Sequence, residues 1–203
     1  MNMNKILPRI GAAIVTITIF LFAIFLIIDF SFGSYFVCMF LSIGYIMMIA
    51  GFKYECADDR RVAANIGMIL ASIYVVLILL VYFAQTTSVR LDELNEQSSA
   101  ILDFKRGGLI FNYDLLGYGI MALSTFFTGL SIKADCTSDK WLKCLMIIHG
   151  IFFISCFFMP MTGVFSKASI GESSSGGVIA LVFWCVYFLP IGVLSYFHFG
   201  EAK

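Results

Sequence analysis

The feature that most constrains this chain is a series of six long runs with almost no charged residues. A helix needs about 20 residues to cross roughly 30 Å of hydrocarbon, and each run is long enough to do so. A bilayer allows apolar side chains to face outward, and a helix satisfies its own backbone polar groups there. The six runs are Ile10–Ile28, Phe30–Phe52, Val62–Thr87, Leu109–Ile132, Cys144–Ser166 and Ser173–Phe197.

We therefore predict an all-α integral membrane protein, a compact bundle of six transmembrane helices with short loops, as a single transmembrane domain over residues 1–203. Only 13% of the residues are charged, whereas soluble domains have about 25%. The first run has 19 residues, more than the 7–15 or so of a signal-peptide core, so we expect a retained span. The predicted helices are 9–29, 34–53, 63–86, 109–132, 142–165 and 177–198.

Basic residues predict the orientation of the bundle, because Lys and Arg accumulate on the cytoplasmic side of a membrane. With both termini inside, nine of the thirteen basic residues lie on that side. We therefore predict a cell-membrane protein with cytoplasmic N- and C-termini. The longest loop, residues 87–108, is then outside. Its pattern predicts a short amphipathic helix that ends at Gly107–Gly108, in a connector that is partly docked on the bundle.

Composition and motifs argue against several classes of function. The net charge is zero and there is no basic stripe, so nucleic acid is not an expected partner. Two histidines are too few for a typical metal site, and we predict neither a metal nor a cofactor. The spans contain no paired acids, and the chain has no nucleophile elbow and no Gly-rich phosphate loop. We therefore do not expect an enzyme.

One carboxylate, Asp114, lies inside the fourth span. A charged aspartate at mid-bilayer costs about 2.5–3.5 kcal/mol on an insertion scale, so it should face other helices. At 100° per residue, Tyr118, Thr125 and Thr128 fall in the same sector as Asp114, and bulky apolar residues fall opposite. The fourth helix therefore predicts a polar sector that points into the bundle.

Two more side chains complete the predicted site. Tyr82, near the outer end of the third helix, is a candidate hydrogen-bond partner for Asp114. His149 is the one ionisable group in its run. Helix rise places it roughly 15 Å from Asp114 along the membrane normal, which argues against direct pairing. The two groups are either ends of one polar path or unrelated buried residues.

The leading hypothesis is a polytopic membrane protein that binds or translocates a small, largely apolar or protonatable solute. Its ligand-binding or proton-handling residues would be Asp114, Tyr118, Thr125, Thr128, His149 and Tyr82. The alternative is a non-catalytic membrane subunit, assembly or sensor protein that docks on another membrane protein. The expected partners are the lipid bilayer and either a small hydrophobic ligand or a membrane protein.

Overall fold

The computed structural model describes residues 3–91, 93–165 and 175–200, and over these ranges it is helical with no strand. The predicted all-α class is confirmed. The long helices are α1 (Met3–Ile27), α2 (Ser31–Glu55), α3 (Arg61–Thr86), α6 (Leu109–Ser131) and α9 (Ser175–His198), with α7 (Thr137–His149) and α8 (Phe152–Met161) together forming the fifth span. Short helices are α4 (Ser88–Leu91), α5 (Glu96–Leu102) and a 3-10 turn at Asp58–Arg60.

Six segments in the described ranges are long and apolar enough to cross a membrane. The connections at 28–30, 56–60 and 132–136 are short, so the spans that they join run antiparallel. We call the end of the bundle that holds residues 3, 55–61, 131–137 and 198 the terminus end. The opposite end, which holds the 87–108 connection, is the loop end.

The spans pack as a closed ring. Around it α1 contacts α2, α2 contacts α3, α3 contacts α6, α6 contacts α7, and α7 and α1 both contact α9. A further contact between α2 and α6 crosses the ring. Large apolar side chains such as Phe20, Leu80 and Phe183 are exposed on the outside. Exposed apolar bulk on this scale indicates a surface solvated by lipid.

Close helix contacts concentrate toward the terminus end. A Cβ added at Gly11 would lie 2.6 Å from the Gly44 carbonyl oxygen, and one added at Gly51 would lie 2.2 Å from Pro8 Cβ. Glycine at these points lets α1 and α2 approach backbone to backbone, which is how membrane helices gain packing energy. Gly44 and Gly51 lie seven residues apart, a spacing of small residues that predicts close helix contact from sequence, and the structure confirms it.

The fifth span differs from the predicted single helix over 142–165. It begins earlier, at Thr137, and its backbone hydrogen-bond pattern changes where α7 meets α8. There Gly150 N donates to Ile147 O at 3.1 Å and Ile151 N donates to Ile148 O at 3.0 Å, a 3-10 pattern. Gly150 packs on Phe126, so close contact with α6 accompanies the change in helix geometry.

The 87–108 connection folds back onto the bundle. Gln85 Nε2 donates to Leu102 O at 2.7 Å, and Phe104 N donates to Gln85 Oε1 at 3.2 Å. The short helix α5 is capped by the Asn95 side chain and ends at Leu102, well before Gly107–Gly108. One glutamine of α3 thus fixes the position of Phe104. The stretch 171–177, GESSSGG, has a composition that predicts a flexible outer loop, and it lies mostly outside the described residues.

Candidate functional site

Asp114 lies near the start of α6 and is buried, with 8% of its surface exposed. Its Oδ1 atom has no hydrogen-bond partner among the described residues. The neighbouring donor to the carboxyl group is the Tyr82 hydroxyl of α3. A buried polar atom without a partner is costly, and in native structures it often marks a functional position.

The Asp114 carboxyl faces a cavity of about 150 Å³ at the loop end. We call it the Asp114 cavity. Its walls come from α1, α2, α3, α6, α9 and the 87–108 connection. The lining residues are Phe22, Phe25, Leu26, Asp29, Phe30, Ser31, Ser34, Tyr35, Tyr82, Phe104, Asp114, Tyr118, Val178 and Leu181.

Three rings from separate parts of the chain form one aromatic wall. Tyr35 and Tyr82 stack with centroids 5.5 Å apart, and Phe104 lies 5.6 Å from Tyr35 and 6.3 Å from Tyr82. Because Gln85 bonds the backbone at Leu102 and at Phe104 itself, a loop residue completes a wall that α2 and α3 begin. Ring pairs at these separations are favourable beyond their buried area.

Tyr118, one turn after Asp114, lies deeper in the bundle. Its hydroxyl donates to Cys38 Sγ at 3.4 Å, and its ring contacts Tyr74 at 5.9 Å and Trp184 at 5.2 Å. Tyr118 therefore joins the cavity to the packed interior through side chains of α2, α3 and α9.

The charge around the cavity is acidic. Among the lining residues that the structure describes, Asp29 and Asp114 are the acids, and neither Lys nor Arg occurs. Nearby cations are engaged elsewhere. Arg90 lies 4.7 Å from the Phe32 ring centroid, and Arg106 lies 5.5 Å from that of Phe165. The site therefore has an unbalanced acidic lining.

Thr125 and Thr128 share a helix face with Asp114, but the structure does not bring them to the cavity. Thr125 Oγ1 donates to Met121 O at 2.7 Å, and Thr128 Oγ1 donates to Ser124 O at 2.8 Å. Each hydroxyl is thus satisfied by its own helix. The eleven residues from Asp114 to Thr125 correspond to roughly 16 Å of helix, so a shared face does not imply a shared site.

A tyrosine connects this part of α6 to α2. The Tyr45 hydroxyl lies 2.9 Å from Ser124 Oγ and 3.0 Å from Thr125 Oγ1. Ser124 donates its own proton to Gly67 O at 2.7 Å, and Thr125 donates to Met121 O. Because both hydroxyl protons are already used, Tyr45 acts as the donor. This network joins α2, α3 and α6.

His149 is fully buried at the end of α7, away from the cavity lining. Trp184 Nε1 donates to His149 Nε2 at 3.0 Å. An indole nitrogen is only a donor, so Nε2 accepts and the imidazole proton lies on Nδ1. His149 Nδ1 has no partner within the described part of the chain. Trp184 touches both His149 and Tyr118, so aromatic contacts connect these two residues of the predicted site.

The sequence interpretation missed a second polar cluster, at the terminus end, in which Asp139 and His198 are buried. His198 Nδ1 lies 2.6 Å from Asp139 Oδ1, and His198 Nε2 lies 3.1 Å from Glu55 Oε2. These side chains join α2, α7 and α9 beside a cavity of about 390 Å³. A signal was present, since Asp139 shares the apolar face of α7 with Leu142 and Met146.

Other missed residues are Tyr35, Cys38, Phe104 and Trp184, whose roles depend on neighbours distant in sequence. In the described ranges, no group of three or more His, Cys, Asp or Glu side chains is arranged to hold a metal ion. No known family model matches the chain, and neither a curated protein nor a solved structure shows significant similarity to it.

Proposed function

We propose that this membrane-embedded protein binds or translocates a small, largely apolar or protonatable solute in the Asp114 cavity. One observation supports the proposal most strongly: a buried carboxyl oxygen without a described partner faces an aromatic-lined space. Ligand sites typically combine apolar walls with a few polar groups that fix orientation. A solute that hydrogen-bonds Asp114 would offset the cost of burying it.

Within the proposed site, Asp114 is the orienting group, Tyr82 is a neighbouring phenol and Tyr118 is the deeper wall. Thr125 and Thr128 belong to the helix-packing network and lie outside the proposed contact set. His149 is connected to the site through Trp184 and lies outside the cavity lining. The contact set is therefore smaller than the predicted one and is centred on the loop end.

The first turns of α9 favour entry of a solute at the loop end. Residues 177–181 are exposed, and Val178 and Leu181 among them line the Asp114 cavity. We also propose the orientation that the basic residues predict, with the terminus end in the cytoplasm. The cavity then opens toward the outer side of the cell membrane.

The test is to identify small molecules that remain with the protein after mild purification in lipid nanodiscs. Mass spectrometry of solvent extracts would compare the unmodified protein with Asp114→Asn. The matched control is Asp135→Asn, the same change in an exposed pair with Lys133 at the terminus end. We expect a small molecule that the unmodified protein and the control retain and that Asp114→Asn loses. Identical extracts from all three proteins would contradict the proposal.

A second candidate function, docking on another membrane protein, is favoured by the weak packing of the fifth span. Helix α8 contains no buried residue and contacts mainly α6. A helix that buries so little of its surface within its own bundle offers an apolar surface to a partner. Native mass spectrometry from mild detergent would show a stoichiometric partner protein if this function is correct, and the chain alone if it is not.

A further inference from the structure

The described lining of the Asp114 cavity combines three features that together select one class of ligand. It has a carboxyl group with a free oxygen, an aromatic wall, and two acids without a lining Lys or Arg. We propose that the ligand is a small organic ammonium ion. This inference rests on the proposed function and specifies the chemistry of its solute.

The first argument concerns the carboxyl group. Tyr82 is its neighbouring donor, and Oδ1 still lacks a partner among the described residues. An ammonium group supplies N–H donors together with a positive charge, and hydrogen bonds between charged groups are roughly twice as strong as neutral ones. A neutral alcohol supplies one donor and leaves the acidic lining unbalanced.

The second argument concerns the rings. Tyr35, Tyr82 and Phe104 lie within 5.5–6.3 Å of one another beside the carboxyl group. The face of an aromatic ring attracts a cation, by about 0.5–1 kcal/mol at exposed sites and about 2 when desolvated. An anionic ligand would instead meet Asp29 and Asp114, and like charges at close range are strongly unfavourable. The lining therefore favours cations over anions.

The third argument concerns size. The cavity holds about 150 Å³, and an apolar cavity of about that volume accommodates a molecule of benzene size. This volume suits an ammonium group with a short alkyl chain. With the nitrogen at Asp114, the alkyl part would lie against Phe22, Phe25 and Leu181. The ligand would thus have one charged end and one apolar end.

The experiment compares two probes of nearly equal shape, isobutylammonium and isobutanol. Alkylamines resemble the lysine side chain, whose pKa is about 10.4, so isobutylamine is protonated at pH 7. Equilibrium dialysis of radiolabelled probes against the protein in nanodiscs gives both affinities, with empty nanodiscs subtracted. We expect isobutylammonium to bind at least about 10-fold more tightly than isobutanol, a difference of about 1.4 kcal/mol.

Variants then locate the selectivity. We expect Asp114→Asn to weaken the binding of isobutylammonium at least about 30-fold, because one partner of a buried charge pair is lost. Asp135→Asn should leave both affinities unchanged. If Asp114→Asn does not fold, Phe104→Leu serves instead, with a loss of about 3-fold for isobutylammonium and none for isobutanol.

Equal or tighter binding of isobutanol would overturn the ammonium inference and leave the proposed function intact, since the cavity would then take a neutral solute. Failure of both probes to bind would also overturn it. The extraction experiment decides the proposed function independently, because it does not use either probe.

Discussion

The two ends of the bundle bury polar side chains in different ways. At the terminus end, His198 lies between two carboxylates, and in mid-bundle Tyr45 donates into a network that ends on backbone carbonyls. At the loop end, Asp114 Oδ1 has no partner among the described residues and faces a cavity. Paired polar groups join helices, whereas an unpaired group beside empty space is available to a ligand.

Two glycines, one toward each end, differ in the kind of atom that surrounds them. Toward the terminus end, a Cβ at Gly11 would meet backbone atoms of α2 at 2.6–2.8 Å. Toward the loop end, a Cβ at Gly117 would meet the tip of Ile78 at 3.1 Å. Backbone cannot retreat, but the end of a flexible side chain can. We infer that the terminus end is the rigid scaffold and the loop end is the adaptable one.

The largest expected effect comes from one substitution made at both ends. Gly11→Ala should lower the free energy of unfolding by about 2–3 kcal/mol, because the added methyl group overlaps the α2 backbone. Gly117→Ala should be neutral or slightly stabilising, because alanine is the better helix former. Titration with sodium dodecyl sulfate in mixed micelles measures both. Equal losses would remove the distinction between the two ends.

A second pair compares the buried acids. Asp139→Ala should cost about 2–3 kcal/mol, because it removes a charged partner 2.6 Å from buried His198. Asp114→Ala should change the free energy of unfolding by less than about 1 kcal/mol, since it removes a poorly satisfied carboxyl group. The same titration applies, with exposed Asp135→Ala as control. A large loss at Asp114 would mean that its role is structural.

Tyr45→Phe tests the network that joins α2 to α6. The substitution removes only the hydroxyl, whose single proton is shared between Ser124 Oγ and Thr125 Oγ1, so the loss should be about 1 kcal/mol. Thermal unfolding in detergent, with exposed Tyr54→Phe as control, would detect it. An unchanged midpoint would show that the hydroxyl does not stabilise the bundle.

The smallest effect is expected at Thr125, which the sequence places in the site and the structure places in the packing network. Thr125→Val keeps the side-chain shape and removes one hydroxyl, so stability should fall by about 0.5 kcal/mol. The small molecules retained in nanodiscs should match those of the unmodified protein. Loss of a retained molecule would extend the site along α6.

The spans were predictable because hydropathy is a local signal. A run of about 20 apolar residues identifies a span without any knowledge of tertiary contacts. The orientation of Asp114 toward the bundle also followed from sequence, since helical periodicity fixes which residues share a face. The sequence did not predict the interruption of the fifth span after His149. Gly150 has ordinary helical angles, and its role depends on contact with Phe126, a residue distant in sequence.

The aromatic wall was not predictable because it depends on contacts between distant residues. Phe104 reaches the cavity only because Gln85, nineteen residues earlier, accepts a hydrogen bond from its backbone. A polar sector on one helix shows which way its residues face, but not how far along the helix axis a site extends. The sequence therefore grouped Thr125 and Thr128 with Asp114. Asp139 precedes the fifth apolar run, so the search for charges within the apolar runs does not indicate its burial.

The contact between Trp184 and Tyr118 has a spectroscopic consequence. The chain has two tryptophans, and Trp141 is exposed at the terminus end while Trp184 is buried. Trp141→Phe would leave a single indole emitter, in edge contact with a tyrosine that lines the Asp114 cavity and hydrogen-bonded to an imidazole. Its fluorescence would report occupancy of the cavity without an added label.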